Sequence, residues 1–432
     1  MNIGLPSYPA YKPSDLEWVG EIPAHWEVVQ LGRIGRFSKG SGGTKADEVP
    51  EGVPCIRYGD LYTSHKYHIR ASCSCVSEID ASKYTPLRYG DILFAGSGET
   101  IEEIGKSAVN LIEQPACCGG DVILFRSERE LDAVFSGYAT DCPAAQYQKS
   151  TMGRGITVMH IYGSELKHLW IALPPLAEQR AIARYLDYVD RRIQRYIEAK
   201  EKLIALLQEA RQATIQRAVT RGLDPDMPFT STGVDWLGDV PAHWEVRKLR
   251  YLAHITTGER DTVDRKDDGK HPFFVRSQTV ERIDTWSYNG EAVLTAGDGV
   301  GVGKVFHYVN GKFDFHQRVY KFSDFRNVIG RFFFHYFRAM LRFEVLQGTA
   351  KSTVDSLRLP MLQNLPIALP PLPEQHAIAA HLDQATADID ASIDAAHRQA
   401  DLMHEYRASL IAHVVTGKLD VRVAAERIGV AT

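Results

Sequence analysis

Two glycine-rich segments that each end near a lysine contain residues whose types and spacing could do chemistry. Their members are Ser97, Gly98 and Lys106 in one segment and Gly299, Gly303 and Lys304 in the other. Glycine lets backbone N–H groups approach a phosphate closely, and lysine supplies positive charge, so both segments could position a phosphate. A nucleotide-binding P-loop also needs a glycine five residues ahead of the Gly-Lys pair, where this chain has Thr100 and Asp298. Two interpretations remain: phosphate contact without ATP binding, and a glycine-rich hairpin that binds no ligand.

Basic and hydroxyl residues also stand at similar places in the two halves of the chain. An arginine follows a predicted strand in each half, and a basic residue precedes a threonine ahead of each Pro-Pro pair. The residues are Arg57 with Tyr58, Arg276 with Ser277, Arg154 with Thr157, and Lys351 with Thr353. Arginine can read guanine in the major groove, and hydroxyl groups contact phosphates. Surface ion pairs are the alternative for the arginines, and capping or turn roles are the alternative for the threonines.

Cysteine and histidine spacings argue against a metal centre. The Cys73-x-Cys75 and Cys117-Cys118 pairs lack the two C-x-x-C units of a tight zinc site, and no His-Glu-x-x-His pattern occurs. The six cysteines all lie in the first third of the chain, and we expect free thiols in a reducing cytosol. No run approaches the ~20 apolar residues of a membrane span, and the N-terminus lacks a secretory layout, so we expect a cytoplasmic protein.

The composition is that of a folded chain with no excess of positive charge. Its 432 residues predict two to four domains at roughly 100–200 residues each, and its formal charge is -4. Residues 30–155 contain 14 basic and 16 acidic side chains, and residues 250–350 contain 15 and 12. A small DNA-binding domain usually has a clear basic excess, so charge alone does not indicate DNA.

The sequence contains an internal repeat. The segment from Trp18 to Trp26 returns from Trp236 to Trp244 at an offset of 218 residues. A second segment, Ile-Ala-Leu-Pro-Pro-Leu-x-Glu-Gln, begins at residue 171 and again at residue 367, an offset of 196. Each half therefore has a divergent body of short predicted strands and a repeated tail, and the first body is 22 residues longer.

Each tail has the periodicity of one long helix. Apolar residues alternate in steps of 4 and 3 from Ile182 to Thr214 and from Ile378 to Leu410, which predicts a heptad seam. The predicted seam passes through Tyr196 and Leu203 in the first tail and Ser392 in the second. Helices of about 44 residues should be about 66 Å long. The apolar faces of two such helices in one chain most simply pack against each other, with the helices antiparallel. The alternative is two unrelated domains that each end in a dimerisation helix.

These repeats resemble the specificity subunit of type I restriction-modification systems. The resemblance rests on the two Leu-Pro-Pro-Leu-x-Glu-Gln motifs, the Trp-x-Gly-(Glu/Asp)-(Ile/Val)-Pro-x-His-Trp openings, and the tail endings at Asp224 and Asp420, and it covers nearly the whole chain. It implies a mixed α/β fold with two target-recognition domains joined by two long antiparallel helices, a coiled-coil spacer with a pseudo-twofold internal repeat. The expected division is a first recognition domain at 1–170, a helix and linker at 171–222, a second recognition domain at 223–366, and a distal helix and tail at 367–432.

The resemblance also implies a function without catalysis. Each body would read one half of a bipartite, asymmetric site on double-stranded DNA, and the chain would recruit two methyltransferase subunits and the restriction subunits. S-adenosylmethionine, ATP and Mg²⁺ would then belong to those partners, with no cofactor in this chain. The expected spacer and partner-binding residues are Leu176, Glu178, Gln179, Ile182, Leu186, Leu372, Glu374, Gln375, Ile378 and Leu382.

Two other classes of function remain as alternatives. A protein-protein scaffold with duplicated binding domains would share the repeat. An adenine methyltransferase would need an Asn/Asp-Pro-Pro-aromatic loop, whereas the Pro-Pro pairs here lie between leucines. Since neither body is basic, we expect the isolated chain to bind DNA poorly and its partners to complete the grip.

Overall fold

A computed structural model describes residues 4–16, 18–155, 158–348 and 356–430. The chain divides into two compact units, Met1–Ala199 with Gln399–Thr432, and Lys200–Arg398. The first unit is therefore discontinuous in sequence, and the second is continuous. Each of the two longest helices contributes one part to each unit.

The first unit contains two five-stranded sheets, with strand orders β4-β14-β10-β12-β7 and β5-β8-β6-β13-β9. Its strands are β1 (Tyr11–Pro13), β2 (Glu21–Pro23), β3 (Glu27–Gln30), β4 (Gly35–Lys39), β5 (Glu48–Val49), β6 (Val53–Ile56), β7 (Tyr67–Ile69), β8 (Ser74–Val76), β9 (Thr85–Leu87), β10 (Ile92–Ala95), β11 (Ser97–Gly98), β12 (Ser107–Asn110), β13 (Ala116–Cys118), β14 (Val122–Ser127), β15 (Met159–His160) and β16 (Trp170–Leu173). Strands β10 and β12 are buried along their whole length, as expected for the middle of a covered sheet.

The second unit builds the corresponding framework as one six-stranded sheet in the order β20-β25-β23-β24-β21-β22. Its strands are β17 (Phe229–Ser231), β18 (Asp239–Pro241), β19 (Glu245–Lys248), β20 (His254–Thr257), β21 (His271–Phe274), β22 (Glu281–Ile283), β23 (Tyr288–Ala296), β24 (Phe306–Phe315), β25 (Val319–Ser323) and β26 (Pro366–Leu369). The long antiparallel hairpin of β23 and β24 corresponds to two shorter antiparallel pairs in the first unit, β10 with β12 and β9 with β13. The mixed α/β class predicted from the sequence is confirmed.

Helices pack against the sheets and form the two tails. They are α1 (Tyr58–Thr63), α2 (Glu78–Ala81), α3 (Ala133–Asp141), α4 (Pro143–Met152), α5 (Gly163–Leu166), α6 (Leu176–Arg221), α7 (Gly330–Gly348), α8 (Leu359–Asn364), α9 (Leu372–Val415) and α10 (Arg422–Val430). Helix α7 of the second unit stands where α3 and α4 stand in the first. Pro143 begins α4 directly after Cys142, and because proline cannot continue a helix from within, this covering element is divided in the first unit.

The aromatic side chains of α7 pack into the core of the second unit. Phe332, Phe333, Tyr336 and Phe337 are fully buried, and Phe322 of β25 packs against Phe333 and Phe337. These four side chains fill the second core and are not available to stack on a nucleic-acid base.

The two predicted tail helices are confirmed as α6 and α9, of 46 and 44 residues. Gly222 and Gly417 follow their ends with φ of +74°, a left-handed conformation in which glycine avoids a side-chain clash. In the first unit, Asp190 of α6 pairs with Arg407 of α9, and in the second unit Arg211 pairs with Asp390 at 2.8 Å. Later residues of α6 meet earlier residues of α9, so the helix segments are antiparallel.

The predicted heptad seam holds at Ile193, Ala396 and Leu410, which are buried, and is wrong at three other positions. Tyr196 and Leu203 were expected in the seam but are exposed, whereas their neighbours Ile197 and Ile204 are buried; Ser392 is likewise exposed, and Ile393 lies half-buried in its place. An 11-residue repeat is buried or half-buried along both helices, at Ile182, Ile193, Ile204 and Ile215 in α6 and at Ile378, Ile389, Ala400 and Ile411 in α9. Eleven residues make three turns of 3.67 residues, close to the 3.6 of a straight helix, so the stripe does not drift from the buried face.

Candidate nucleic-acid interface

The repeated Glu-Gln pair attaches each body to the start of a long helix. The buried Glu178 carboxylate accepts hydrogen bonds from Trp26 Nε1 at 3.1 Å and Tyr8 Oη at 2.5 Å, and it lies 2.8 Å from His25 Nε2. In the second unit Glu374 contacts His243 Nε2 at 2.8 Å and Trp244 Nε1 at 3.1 Å. The His-Trp opening and the Pro-Pro-Leu-x-Glu-Gln motif are thus two parts of one junction, made once in each unit.

The glutamines of the same motif hold the covering helices. Gln179 Oε1 accepts a hydrogen bond from the backbone N–H of Asp132, the residue before α3, at 3.0 Å. Gln375 Oε1 accepts from the backbone N–H of Ile329, the residue before α7, at 2.9 Å. Each amide group also donates to the proline two residues ahead of its helix, Pro174 or Pro370. The orientation of each body on its helix is therefore fixed by polar side-chain contacts, which are more deeply buried in the first unit than in the second.

The apolar residues expected in the spacer lie on these helices. Ile182, Leu186, Ile378 and Leu382 are buried in the cores of their units, while Leu176 is half-buried and Leu372 is exposed at the first turn. The junctions leave the opposite faces of the helix starts for other contacts, and whether a partner subunit uses them stays a prediction.

The glycine-rich loop of the first unit is held from within. Ser97 pairs with His160 in the short β11–β15 ladder, and its Oγ lies 3.0 Å from His160 Nδ1. Gly98 packs so closely on Tyr62 that a side chain there would collide with the phenol oxygen. Lys106 donates to the backbone oxygen of Tyr62 at 2.8 Å. Lysine and glycine here shape the loop, and Ser97 and His160 remain at its surface.

The first predicted arginine is largely enclosed, and its neighbour is exposed. Arg57 precedes α1 and pairs with Glu48 at 3.4 Å. Tyr58, the first residue of α1, is an exposed aromatic side chain. Both line a cavity of about 550 Å³ that also contains Lys45 and Asp121.

A second cavity of about 740 Å³ lies beside the first-unit loop. Its lining includes Ser97, Asp121 and His160, together with basic and aromatic side chains that the sequence did not single out: Arg36, Lys39, Tyr162 and Lys167. Asp121 borders both cavities. The pattern of serine, histidine, tyrosine and lysine around an open groove suits contacts with phosphates and base edges.

The second-unit loop is organised by one carboxylate. Asp298 accepts hydrogen bonds from Arg276 Nη1 at 3.0 Å and from Arg318 Nη1. Burial raises the pKa of Asp298, but the two arginine hydrogen bonds outweigh it and hold the pKa below its usual range. Gly299 and Gly303 have φ of +73° and +69° in the turn that follows, and Lys304 is exposed.

Ser277 plays a local role in the same loop. Its Oγ donates to the backbone oxygen of Thr279 at 2.9 Å, and its backbone oxygen lies 3.1 Å from His307 Nε2. Arg154 pairs through its backbone with His160 beside the first loop. Thr157, Lys351 and Thr353 lie outside the described residues, so their predicted contacts stay predictions.

The strand pairing corrects one equivalence expected from the sequence. Arg57 and Arg276 each follow a strand, which predicts that they correspond. In the ladders, Cys55 pairs with Cys117 as Phe273 pairs with Asp314, both parallel. The offset is therefore 218, as in the tryptophan segments, and Arg276 corresponds to Tyr58.

Among the described residues, no group of three or more histidine, cysteine or acidic side chains could hold a metal ion. The six cysteines are free thiols. Within the same residues, no helix has the length and apolar character required to cross a membrane.

A family model described as type I restriction modification DNA specificity domain matches residues 23–205 and 241–396. The MjaVIII specificity subunit of Methanocaldococcus jannaschii is 25% identical over 454 residues, which cover 93% of this chain and 94% of the relative. The EcoDI specificity subunit of Escherichia coli is 26% identical over 182 residues; that match spans 42% of this chain and 40% of the relative.

Solved structures share the fold. A chain from work on complex assembly and conformational transition of the type I R-M system superposes with a TM-score of 0.71 at 18% identity, covering 92% of this chain and 99% of its own. The HsdS subunit from Thermoanaerobacter tengcongensis gives a TM-score of 0.52 at 17% identity, covering 92% and 98%.

Two divergent bodies on one framework, each fastened to the start of a long helix, define a duplicated recognition protein. The chain belongs to the type I restriction-modification DNA specificity family and is a specificity subunit of such a system. Members of this family recognise DNA and are not catalysts, which confirms the expected class of function.

Proposed function

We propose that this chain reads a bipartite, asymmetric site on double-stranded DNA, one half-site with each unit, and holds two methyltransferase subunits and the restriction subunits. The observation that carries the proposal is the duplicated junction. Glu178 and Glu374 attach two bodies of different sequence to two helices that begin with the same motif. In this repeat the attachment to the helix is retained and the body differs. Such a protein suits double-stranded DNA, whose backbone is the same at both half-sites while the base sequence differs. The four-part division at residues 170, 222 and 366 belongs to this proposal.

The loops described above would supply the DNA contacts. Phosphate positioning is assigned to Lys304, Gly299 and Gly303 in the second unit and to Ser97 and Gly98 in the first, with Lys106 holding the loop. Base contacts are assigned to Tyr58 and Arg276. S-adenosylmethionine, ATP and Mg²⁺ are assigned to the partner subunits, and the complex would act in the cytoplasm, where the DNA lies.

The experiment is a map of methylated adenines across the host genome with and without this gene. A bipartite motif that loses methylation on deletion and regains it when the unchanged gene is restored is the expected result. An unchanged methylation map, together with no sequence-selective binding by the assembled complex, would contradict the proposal. Binding of partner subunits without any DNA selectivity would favour the protein-protein scaffold instead.

A further inference from the structure

The two units place four residues at matching backbone positions. Gly96 donates its N–H to the oxygen of Asp121, as Gly297 donates to the oxygen of Arg318. Ser97 is bridged to His160, as Asp298 is bridged to Ser356. The strand ladders add Tyr58 and Arg276 to this correspondence. The backbone at this place is therefore common to both units.

The side chains differ at all four positions. The first unit has Tyr58, Ser97, Asp121 and His160, and the second has Arg276, Asp298, Arg318 and Ser356. The junction residues Glu178 and Glu374, by comparison, are the same residue in the same contact. Two domains that recognise different DNA sequences need different side chains at the same backbone positions. The shared backbone places the residues, and the side chains determine which base is bound.

In the second unit three of the four positions form a pair of arginines held by one carboxylate. Asp298 has 19% of its side chain exposed, while Arg276 and Arg318 have 44% and 61%. Both arginines use Nη1 toward the carboxylate. The opposite edge of a guanidinium, formed by Nε and Nη2, carries two parallel N–H donors. The carboxylate therefore restricts the rotation of both side chains without engaging the edge that could read a base.

That edge matches guanine. In the major groove guanine presents N7 and O6, two acceptors that arginine binds with paired hydrogen bonds. Deepening the proposed function, on which this inference rests, we propose that Arg276 and Arg318, held by Asp298, are specificity-determining residues that read guanine in the half-site of the second unit.

The same positions in the first unit point to a different base. Asp121 can only accept hydrogen bonds when ionised, which suits the amino group of cytosine, and Tyr58, Ser97 and His160 offer hydroxyl and imidazole groups. At these four positions the first half-site is thus read by acceptors, hydroxyls and an imidazole, and an arginine stands at them only in the second unit.

The test is selection of duplexes from a randomised bipartite library by the complex assembled with its methyltransferase subunits. The variants are Arg276→Ala, Arg318→Ala and Asp298→Asn. Arg247→Ala is the matched control, since Arg247 is also 44% exposed and also paired, with Glu245 at 2.7 Å. Melting curves and copurification with the partners establish that each variant folds and assembles.

Each arginine variant should lower the preference for guanine at one or two positions of one half-site by about 10-fold or more. Asp298→Asn should weaken the same preferences while total affinity for random DNA stays level or rises, since a negative charge is lost. The other half-site and the Arg247 variant should keep the wild-type preferences.

Two results would overturn the inference while leaving the proposed function intact. One is an unchanged sequence preference in both arginine variants. The other is an equal loss of affinity for all sequences, which marks phosphate contact only. Failure of the proposed function looks different, because the wild-type complex would then select no bipartite sequence at all.

Discussion

Trp26 donates its indole N–H to Glu178 at 3.1 Å across 152 positions of sequence, and Trp244 does the same to Glu374. Both ends of the first contact are buried, whereas 28% of the Glu374 side chain is exposed. A buried carboxylate that satisfies several donors cannot be removed without leaving those donors unpaired. Loss of the glutamate should therefore destabilise the first junction more than the second.

Replacing Glu178 by alanine should therefore destabilise the first unit. We expect a loss of about 2–4 kcal/mol, because the Trp26 and Tyr8 donors lose their acceptor in a dry site. Glu374→Ala should cost less. Glu130→Ala, which removes an exposed pair with Arg180 at 3.3 Å, should change stability by at most about 0.5 kcal/mol. Denaturant unfolding measures all three, and equal effects of Glu178→Ala and Glu130→Ala would contradict the prediction.

The 11-residue repeat can be tested with two adjacent residues of α6. Ile204 is 8% exposed and Leu203 is 40% exposed. Ile204→Ala should cost about 2 kcal/mol, because it leaves a cavity in a packed seam, and Leu203→Ala should cost about 0.5 kcal/mol or less. A heptad seam predicts the reverse order. Thermal unfolding of the two variants side by side decides between the repeats.

Stability of the second unit should fall as the solution is acidified from pH 7 to pH 5. Burial lowers the pKa of His335, more than the hydrogen bond to Asp383 raises it, and burial also lowers the pKa of His307 and His316. Below the ordinary pKa of about 6.5 the unfolded chain takes up protons that the folded chain does not, so unfolding is favoured. The cost approaches about 1.4 kcal/mol per pH unit for each such histidine.

The variant that checks this pH dependence is His335→Gln. Its melting temperature should vary less with pH than that of the wild-type chain, even if its stability at pH 8 is lower. A pH profile as steep as the wild type's would show that His335 does not titrate on unfolding.

Lengthening the helices should change the spacing of the DNA site without changing its halves. We expect 11 residues inserted after residue 199 of α6 and 11 before residue 399 of α9 to preserve the buried face and to add about 16 Å of helix. The assembled complex should then select the same half-sites with a different number of unread base pairs. Insertions of 5 residues are the control, since they rotate the seam out of register. Altered half-sites would argue against independent bodies.

The isolated chain should bind DNA weakly. Residues 30–155 have more acidic than basic side chains, and part of the basic set is engaged internally, as when Asp91 pairs with Arg126 at 2.6 Å. Phosphate contacts supply much of DNA affinity, so few free cations mean low affinity and a shallow salt dependence. Gel shifts at several salt concentrations, with and without the methyltransferase subunits, measure it. Tight, selective binding by the chain alone would contradict the expectation.

Most of the fold that could be predicted from the sequence followed from the internal repeat. Pro174 and Pro370 lie just ahead of the two long helices, and Gly222 and Gly417 lie just after them. These helix boundaries can be predicted from the sequence because backbone geometry alone constrains both residue types. The seam was misplaced because a short window cannot separate steps of 3.5 from 3.67 residues. The isoleucines at 182, 193, 204 and 215 were the signal, visible over the full length only.

The candidate site was harder to predict, since it joins residues far apart in sequence. Arg318 reaches Asp298 from the start of β25, and nothing near residue 318 marks it as a loop partner. Holding the offset of 218 from the tryptophans to Pro54 and Pro272 would have equated Tyr58 with Arg276 from the sequence. Strand pairing was needed to show that this offset persists into the body and then drops to 201 at Ser97 and Asp298.

The discontinuity of the first unit has a consequence in time. Its opening segment is closed by the far end of the chain, where Asp420 donates its N–H to the oxygen of Pro6 and Lys418 Nζ donates to the oxygen of Glu21. A ribosome makes the first body early but makes the residues that complete it only after the second unit. The second unit is continuous and can close while synthesis proceeds. The body translated second is thus the one expected to mature first, and the body translated first must wait, with its core partly open, for the last turns of α9.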